Sequence, residues 1–418
     1  MFAAIASVWA LLVGVSFLMA GSGLQGSLLG IRASDAGFSG LMTGLIMSAY
    51  FAGFVGGFAI VPRLVRNVGH IRVFSALASI ASAIAVLHSV FVDPIVWIGL
   101  RTLTGFCYIG IYIIAESWLN DRSTNENRGQ ILSVYMIVMT AAMAVGPLLL
   151  NIGDPSGFDL FIAASVLVSL SLVPVSLTTY SAPKFEEQDR LGIRELIKIS
   201  PLGVAAGLTS GATAGALVWL ASVYGDKIGM SLNTISLFVA ASIVGGAVLQ
   251  WPIGHLSDRF DRRRILTIVA FIGATCAVGA TFVGTESSTI QMVAVALVGA
   301  FVAPIYSLSI AHTNDFLTPK QMVAASSGLL LANGIGGMIG PTVAGGAMQM
   351  LGPSGYFWFP AATMGALGTF ALYRMTRRAA VPLEEQGQYI SMPRTSGVFA
   401  KIALRDQMDR DIADMSRR

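Results

Sequence analysis

Two ionisable side chains, Arg101 and Glu116, lie inside long apolar stretches of the chain. A charged side chain is costly in a membrane interior, so each marks a candidate functional site. Arg101, Gly105, Tyr108, Tyr112 and Glu116 are spaced by 4, 3, 4 and 4 positions, which places them on one face of a helix. Because this face is polar and aromatic, we expect it to line a central cavity that binds substrate.

Two roles are open for each of these charges. Arg101 is suited to anchoring an anionic group of a substrate, or to holding helices together through backbone carbonyls. Glu116 is suited to carrying a proton if it is desolvated. The alternative is an interfacial carboxylate that pairs with Arg122 or Arg128.

Uncharged or weakly basic residues supply the other candidates for the cavity wall. They are Gln25, Trp219, Tyr306 and His312. Gln25 is suited to hydrogen bonding with substrate, and His312 to titrating near neutral pH. A single histidine at the end of an apolar segment is also typical of an interfacial residue. The two cysteines, Cys107 and Cys276, have neither the number nor the spacing of a disulfide framework or a metal site.

The composition indicates the kind of scaffold that must position these residues. Apolar types make up 55% of the 418 residues and charged types only 11%. A disordered chain needs the opposite balance, and a soluble enzyme could not cover its surface with so few charges. The sequence contains no P-loop, no HExxH and no GxSxG motif, which excludes ATP hydrolysis by a P-loop and disfavours an enzyme. It therefore predicts an integral membrane protein.

Twelve segments are long and apolar enough to cross a bilayer, which takes about 20 residues. Lipid offers no hydrogen-bond partner to the backbone, so we expect an all-α fold of twelve transmembrane helices. The segments cover residues 3–28, 40–62, 71–92, 95–119, 129–151, 157–180, 200–225, 231–255, 262–284, 288–313, 323–347 and 354–376.

The basic residues predict the orientation. Of the 26 lysines and arginines, 23 fall in the tail or in loops on one side, and only Arg32 and Lys227 on the other. Arg101 is the remaining one. Positive charge favours the cytoplasmic side, so both termini are expected in the cytoplasm. The same bias accounts for the net charge of +4, so no nucleic-acid partner is expected.

The two halves of the sequence resemble each other. Short matches recur at offsets of 192 or 194 residues, as in Gly37-Phe38-Ser39 with Gly229-Met230-Ser231, Asn120-Asp121 with Asn314-Asp315, and Gly146-Pro147 with Gly340-Pro341. They predict two pseudo-symmetric six-helix bundles with a site between them. We expect bundles at 1–180 and 200–376, a linker at 181–199 and a cytoplasmic tail at 377–418. The end of the tail is suited to an amphipathic helix or to a loosely ordered solubilising segment.

The polar loop after the eighth segment carries the clearest motif. It reads Gly254-His255-Leu256-Ser257-Asp258-Arg259-Phe260-Asp261-Arg262-Arg263-Arg264, and it resembles the G-x-L-a-D-r-x-G-r-k/r pattern of the major facilitator superfamily, except that Asp261 replaces a glycine. The resemblance covers residues 1–376. Arg101-x-x-x-Gly105 is similar to the family's R-x-x-x-G motif. The stretches 116–121 and 127–129 are similar to the YcaD-like bacterial branch of the family.

The resemblance implies a conformational latch made of Gly254, Asp258, Arg259, Arg262 and Arg263. A carboxylate where a helix leaves the membrane can pair with basic residues and favour one arrangement of the halves. The alternative is that these arginines are topology signals only. The equivalent loop of the first half has Arg66 where the aspartate should be, so no latch is expected there.

Glycine and proline recur together in both halves, as Gly146-Pro147 and as Gly336-x-x-x-Gly340-Pro341. A glycine face permits close helix packing, and an internal proline favours a kink. The second set is close to an exporter motif of the superfamily. Because helix 5 itself has Ala142 in place of the first glycine, the sequence favours export only slightly.

These observations predict a secondary active transporter that moves a small organic solute by alternating access, coupled to a proton gradient. We expect a monomer in the bacterial inner membrane, with a small-molecule substrate, the lipid bilayer as its surroundings and no bound cofactor. The rival hypotheses are a transporter-fold protein without ion coupling, acting on lipids or as a sensor, and a membrane-embedded enzyme.

Overall fold

The computed structural model describes residues 8–124, 127–177, 191–284, 287–387, 389, 391 and 395. Every regular element among these residues is a helix. The α-helices are α1 Trp9–Asp35, α2 Gly40–Val68, α3 His70–Val90, α4 Pro94–Arg122, α5 Arg128–Leu148, α6 Asp159–Leu170, α7 Leu172–Ser176, α8 Ile193–Ile199, α9 Pro201–Trp219, α10 Ala221–Lys227, α11 Leu232–Val248, α12 Gln250–Arg259, α13 Arg262–Thr281, α14 Ser288–Val302, α15 Pro304–Asn314, α16 Pro319–Leu351 and α17 Gly355–Arg377. Two short 3₁₀ turns span Leu149–Ile152 and Leu383–Glu385.

In the described part of the chain, eleven helical stretches are long and apolar enough to cross a membrane. They coincide with the first eleven predicted segments, and three of them each combine two consecutive α-helices: α6 with α7, α11 with α12, and α14 with α15. The twelfth predicted segment is α17, which has 23 residues but is not among the eleven. At 1.5 Å per residue its length is nevertheless about that of a bilayer core.

The helices pack mainly within their own half of the sequence. In the first half α2 and α3 pack on α4, and α1 packs on α5 and α6. In the second half α9 packs on α16, α11 on α14 and α13 on α17. The halves meet where α2 contacts α16, α5 contacts α11, and α1 contacts α10.

The repeated Gly-x-Ser segment forms the same turn in both halves. Gly37 and Gly229 have φ angles of 73° and 74°, in the left-handed region that favours glycine. The amide of the following residue bonds back to a helix carbonyl, from Phe38 to Ala33 and from Met230 to Gly225, 2.9 Å in each case. Ser39 and Ser231 then cap the next helix through their side chains. This identical local structure supports the duplication.

Contacts between the halves gather at the face that lacks the basic loops, called here the opposite face. The face with the helix ends that carry Arg63, Arg72 and Arg262 is called the basic face. At the opposite face the Thr342 hydroxyl lies 2.8 Å from the Ser48 hydroxyl. Asn151 donates to the Ser236 hydroxyl at 2.9 Å, and Ser34 to the Asp226 carboxylate. These bonds tie the halves together at this face.

The predicted glycine–proline sites are points of close helix packing. Gly146, followed by Pro147, lies against the backbone of α1. In α16, Gly336 and Gly340 lie against the backbone of α9, while the Pro341 carbonyl lies against Gly44 of α2. Without these glycines the helix axes could not approach so closely.

The described part of the predicted linker, residues 191–199, packs against the second half of the chain. Its last residues form the short helix α8, and the Leu191 amide donates to the Ala324 carbonyl of α16 at 3.2 Å. The amphipathic pattern of residues 399–415 lies outside the described residues.

Candidate functional site

The side chain of Arg101 lies between two aromatic rings from different helices. Its guanidinium carbon is 4.9 Å from the ring centroid of Tyr50 in α2 and 4.9 Å from that of Trp219 at the end of α9. Both distances are within the range of cation–π attraction. Because Trp219 belongs to the second half of the chain, the charge lies where the two halves meet.

Small residues bring these three side chains together. Gly105 of α4 lies against the Tyr50 carbonyl, and Gly53 of α2 lies against the Thr102 carbonyl. The α2 and α4 backbones therefore touch, which places Tyr50 beside Arg101. In α1, a side chain at Gly26 would overlap the Trp219 ring, so this glycine makes the space that the ring fills.

The Arg101 side chain is 1% exposed. Its Nε and Nη2 atoms have no hydrogen-bond partner. Among the residues that the structure describes, no carboxylate pairs with Arg101. A buried arginine without an anion is energetically unfavourable, because cation–π contacts compensate only part of the lost hydration.

The predicted polar and aromatic face of α4 continues from Arg101 towards the basic face. The rings of Tyr50 and Tyr108 have centroids 6.1 Å apart, as do those of Tyr108 and Tyr112. The Tyr112 hydroxyl lies 3.8 Å from the Met19 sulfur of α1. Gln25 of α1 is also buried, and its Nε2 atom has no hydrogen-bond partner. These residues are all buried, and they come from α1, α2 and α4.

Glu116 has 0% of its surface exposed. The Tyr135 hydroxyl of α5 donates to its Oε1 atom at 3.2 Å. The Thr395 hydroxyl of the tail donates to the same oxygen. The carboxylate thus lies inside the protein near the basic face, two turns beyond Tyr108, with hydroxyl groups as neighbours.

His312 belongs to a different cluster from Arg101. It lines a cleft on the basic face with Arg263, Arg374 and Arg378, and its ring lies edge-on to Phe316 at 5.2 Å. Tyr306, two turns earlier in α15, is buried.

Two of the predicted latch residues, Asp258 and Arg262, belong to one network, which is centred on Arg262. Its Nη1 lies 2.5 Å from an Asp315 carboxylate oxygen and donates to the Ala311 carbonyl at 3.0 Å. Its Nη2 lies 3.2 Å from Asp258 Oδ1. Arg259 is exposed. All of these groups belong to the second half, so a role of this network in joining the halves stays a prediction.

Asp261, which departs from the family pattern, has a local role. Its carboxylate accepts from the Arg263 amide at 2.9 Å and caps α13. It also pairs with the Arg263 guanidinium at 2.9 Å. Burial opposes ionisation of this carboxyl, but the bonds from Arg263 outweigh burial and lower the pKa of Asp261.

Some site residues were missed by reasoning from the sequence. Tyr50 and Tyr135 sit in apolar helices without any distinguishing spacing, and no sequence signal indicates their charged neighbours. Asp315 did have a signal, because it belongs to a repeated Asn-Asp pair. Thr395 lies in the tail, where contacts with Glu116 depend on tertiary structure alone.

Comparison with known proteins decides the family. The family model described as the Major Facilitator Superfamily matches residues 11–231 and again residues 199–407. The chain belongs to the major facilitator superfamily. It is therefore an integral membrane transporter and not an enzyme.

This superfamily member has curated and solved relatives. It is 25% identical over 308 residues to the uncharacterized MFS-type transporter YcaD of Escherichia fergusonii, which covers 73% of this chain and 79% of the relative. Its fold is similar to that of a variant of the nucleoside transporter NupG, with a TM-score of 0.72, 15% identity and coverage of 87% and 98%. It is also similar to a bacterial homologue of the human lysosomal transporter Spinster, with a TM-score of 0.69, 15% identity and coverage of 91% and 98%. The predicted family and the all-helical membrane fold are confirmed, and the similarity to YcaD-type transporters agrees with the predicted branch.

Proposed function

We propose that this transporter moves a small organic anion by alternating access, with Arg101 as the anchor for the anionic group. The observation that carries the proposal is the buried guanidinium between Tyr50 and Trp219 with two nitrogen atoms that lack hydrogen-bond partners. A carboxylate is suited to accept from those nitrogens, and it would supply the missing negative charge. The surrounding rings favour an apolar or aromatic body on the solute.

The position of the anchor supports a role in the transport cycle. Arg101 is on the first half and Trp219 on the second, so rocking of the halves would separate them and rebuild the site. An anion bound between them changes the relative free energies of the two arrangements, because it interacts differently with each. Gln25, Tyr108 and Tyr112 are proposed as further contacts, and Tyr306 as a contact from the second half.

Glu116 is proposed as the group that carries the coupling proton. It is buried beside the Tyr135 hydroxyl rather than in the central cluster. A fully buried carboxyl can bind a proton in one arrangement of the halves and release it when water enters. We propose the bacterial inner membrane as its location, with the basic face and both termini in the cytoplasm, and a monomer as the working unit. Both import and export are compatible with this site, with export slightly favoured by the exporter-like motif of α16.

Binding and flux measurements test this proposal. Purified protein in nanodiscs would be screened by thermal shift against organic monoanions and their neutral amides or esters. We expect stabilisation by some anions, none by their neutral analogues, and loss of the effect in Arg101→Gln. Proteoliposomes containing a pH dye would then report proton movement driven by the best anion, with Glu116→Gln as the uncoupled variant. Stabilisation by the neutral analogues in both proteins would reject the anchor.

A further inference from the structure

Described residues of the tail lie against the second half of the protein at the basic face. The Arg262 guanidinium donates to the Gly387 carbonyl. The Tyr389 amide donates to Asp258 Oδ1 at 2.6 Å, and Gln250 donates to the Ser391 hydroxyl at 2.8 Å. Three described residues of the tail, Gly387, Tyr389 and Ser391, are therefore each bonded to the second half.

Gly254 of the loop motif provides the seat for Tyr389. A side chain at this position would overlap the Tyr389 ring. Gly254, Asp258 and Arg262 are three of the predicted latch residues, and each contacts the tail. These three latch residues thus contact residues that follow α17 in the sequence, in addition to their partners within the second half.

The tail also reaches the first half of the protein. The Thr395 hydroxyl donates to the Glu116 carboxylate of α4, and Thr395 is itself 9% exposed. The four residues Gly387, Tyr389, Ser391 and Thr395 thus contact α12 and α13 at one end and α4 at the other. We call these four residues the strap.

From these contacts we infer that the strap is an autoinhibitory device that joins the two halves at the basic face and covers Glu116. Glu116 has 0% of its surface exposed while the Thr395 hydroxyl donates to its carboxylate, so we expect proton exchange from this face to be faster once the strap has left. Because the strap residues contact both halves, we expect rocking of the halves to break the contacts at one end. The inference rests on the transporter fold and the position of Glu116, and it does not depend on the anion proposed for Arg101.

Chemical modification of Glu116 tests this inference without a known substrate. The full-length protein in nanodiscs would be treated with a water-soluble carbodiimide and glycine ethyl ester, and the modification of Glu116 would be followed by mass spectrometry. The strap variant carries Tyr389→Ala, Ser391→Ala and Thr395→Val. Its matched control carries Tyr389→Phe, Ser391→Thr and Thr395→Ser, which retain the ring and the hydroxyl groups.

We expect Glu116 to be modified about tenfold faster in the strap variant than in the parent, because the covered state becomes less populated. The matched control should resemble the parent. Asp226 at the opposite face serves as an internal reference, and its rate should not change. Thr395→Val alone gives the same test with one substitution and a smaller increase. Equal rates of Glu116 modification in the parent, the single variant and the strap variant would overturn the inference, as would an increase that Asp226 shares.

Discussion

The Arg101 guanidinium carbon lies 4.9 Å from the ring centroid of Trp219, and the two residues belong to different halves of the chain. Arg101 belongs to α4 and Trp219 to the end of α9, so the contact is between helices that are far apart in the sequence. The contact exists because the duplicated halves bring α4 and the end of α9 to the same interior point. Substitutions of Trp219 therefore test whether anion binding at Arg101 depends on the second half of the chain.

Replacing Trp219 is expected to weaken anion binding without abolishing it. A cation–π contact contributes about 0.5–2 kcal/mol, so Trp219→Leu should lower the affinity for the best organic anion by about 2- to 30-fold. Trp219→Phe keeps an aromatic ring and should lose less. Isothermal titration of the purified variants measures both. Equal affinities for Leu, Phe and Trp at this position would exclude a cation–π contribution.

The sequence was sufficient to predict the helical membrane fold because its causes are local. Apolar length predicts spans, and the offset of 192 or 194 residues predicts the duplication. The candidates Arg101 and Glu116 followed from charge in apolar surroundings. Their neighbours Tyr50 and Tyr135 did not, because contacts between helices depend on axis separations that the spacing within one helix does not specify.

The network around Arg262 shows a second kind of contact that could not be predicted from the sequence. The motif implied that Asp258 pairs with basic residues, and in the structure its carboxylate lies 3.2 Å from the Arg262 guanidinium. It could not predict the tail as a further partner, because the tail has no motif of its own and its contacts span more than a hundred residues of sequence. Long-range contacts of this kind are set by the assembled helices.

A side chain at Gly26 should disturb the anchor. A Cβ atom there would overlap the Trp219 ring, so Gly26→Ala is expected to displace the ring and lower the melting temperature. Gly56→Ala is the matched control, because a Cβ atom at Gly56 has open space and alanine favours the helix by up to about 1 kcal/mol. Differential scanning fluorimetry compares the two. A Gly26→Ala protein as stable as Gly56→Ala would contradict the packing described for Trp219.

Loss of the Asp261 side chain should destabilise the start of α13. The carboxylate accepts from the Arg263 amide, and loss of such a cap costs about 1 kcal/mol. Asp261→Ala is therefore expected to be less stable than Asp261→Asn, which retains the cap but not the charge. Urea or thermal unfolding in detergent measures the difference. If Asn is as damaging as Ala, the ion pair with Arg263 and not the cap is the stabilising contact.

The carboxyl of Asp315 should make stability depend on pH. Burial raises the pKa of Asp315 to about 6, although the Arg262 guanidinium opposes the shift. Between the unfolded pKa of about 4 and this value the folded state binds more protons, so the contribution of Asp315 to stability falls as pH rises through that range and is constant above it.

The difference in melting temperature between the parent protein and Asp315→Asn isolates this contribution. The melting temperature of the parent minus that of the variant should fall as pH rises from about 4 to about 6, and it should stay constant at higher pH. A difference that stays constant over the whole range would show that the pKa of Asp315 is the same in the folded and unfolded protein, and a change in the opposite sense would show that folding lowers it; either result would contradict the account.

The most direct measurement for the central claim is binding of an organic monoanion to the parent protein, Arg101→Lys and Arg101→Gln. A buried guanidinium that binds a carboxylate contributes about 1.5–3 kcal/mol per charged hydrogen bond, so Arg101→Gln should weaken binding by at least about tenfold. Arg101→Lys keeps the charge and should lose less, and Arg122→Gln, on the basic face, should bind as the parent does. The same affinity in the parent and in Arg101→Gln, for every anion that stabilises the protein, would contradict the assignment of Arg101 as the anchor.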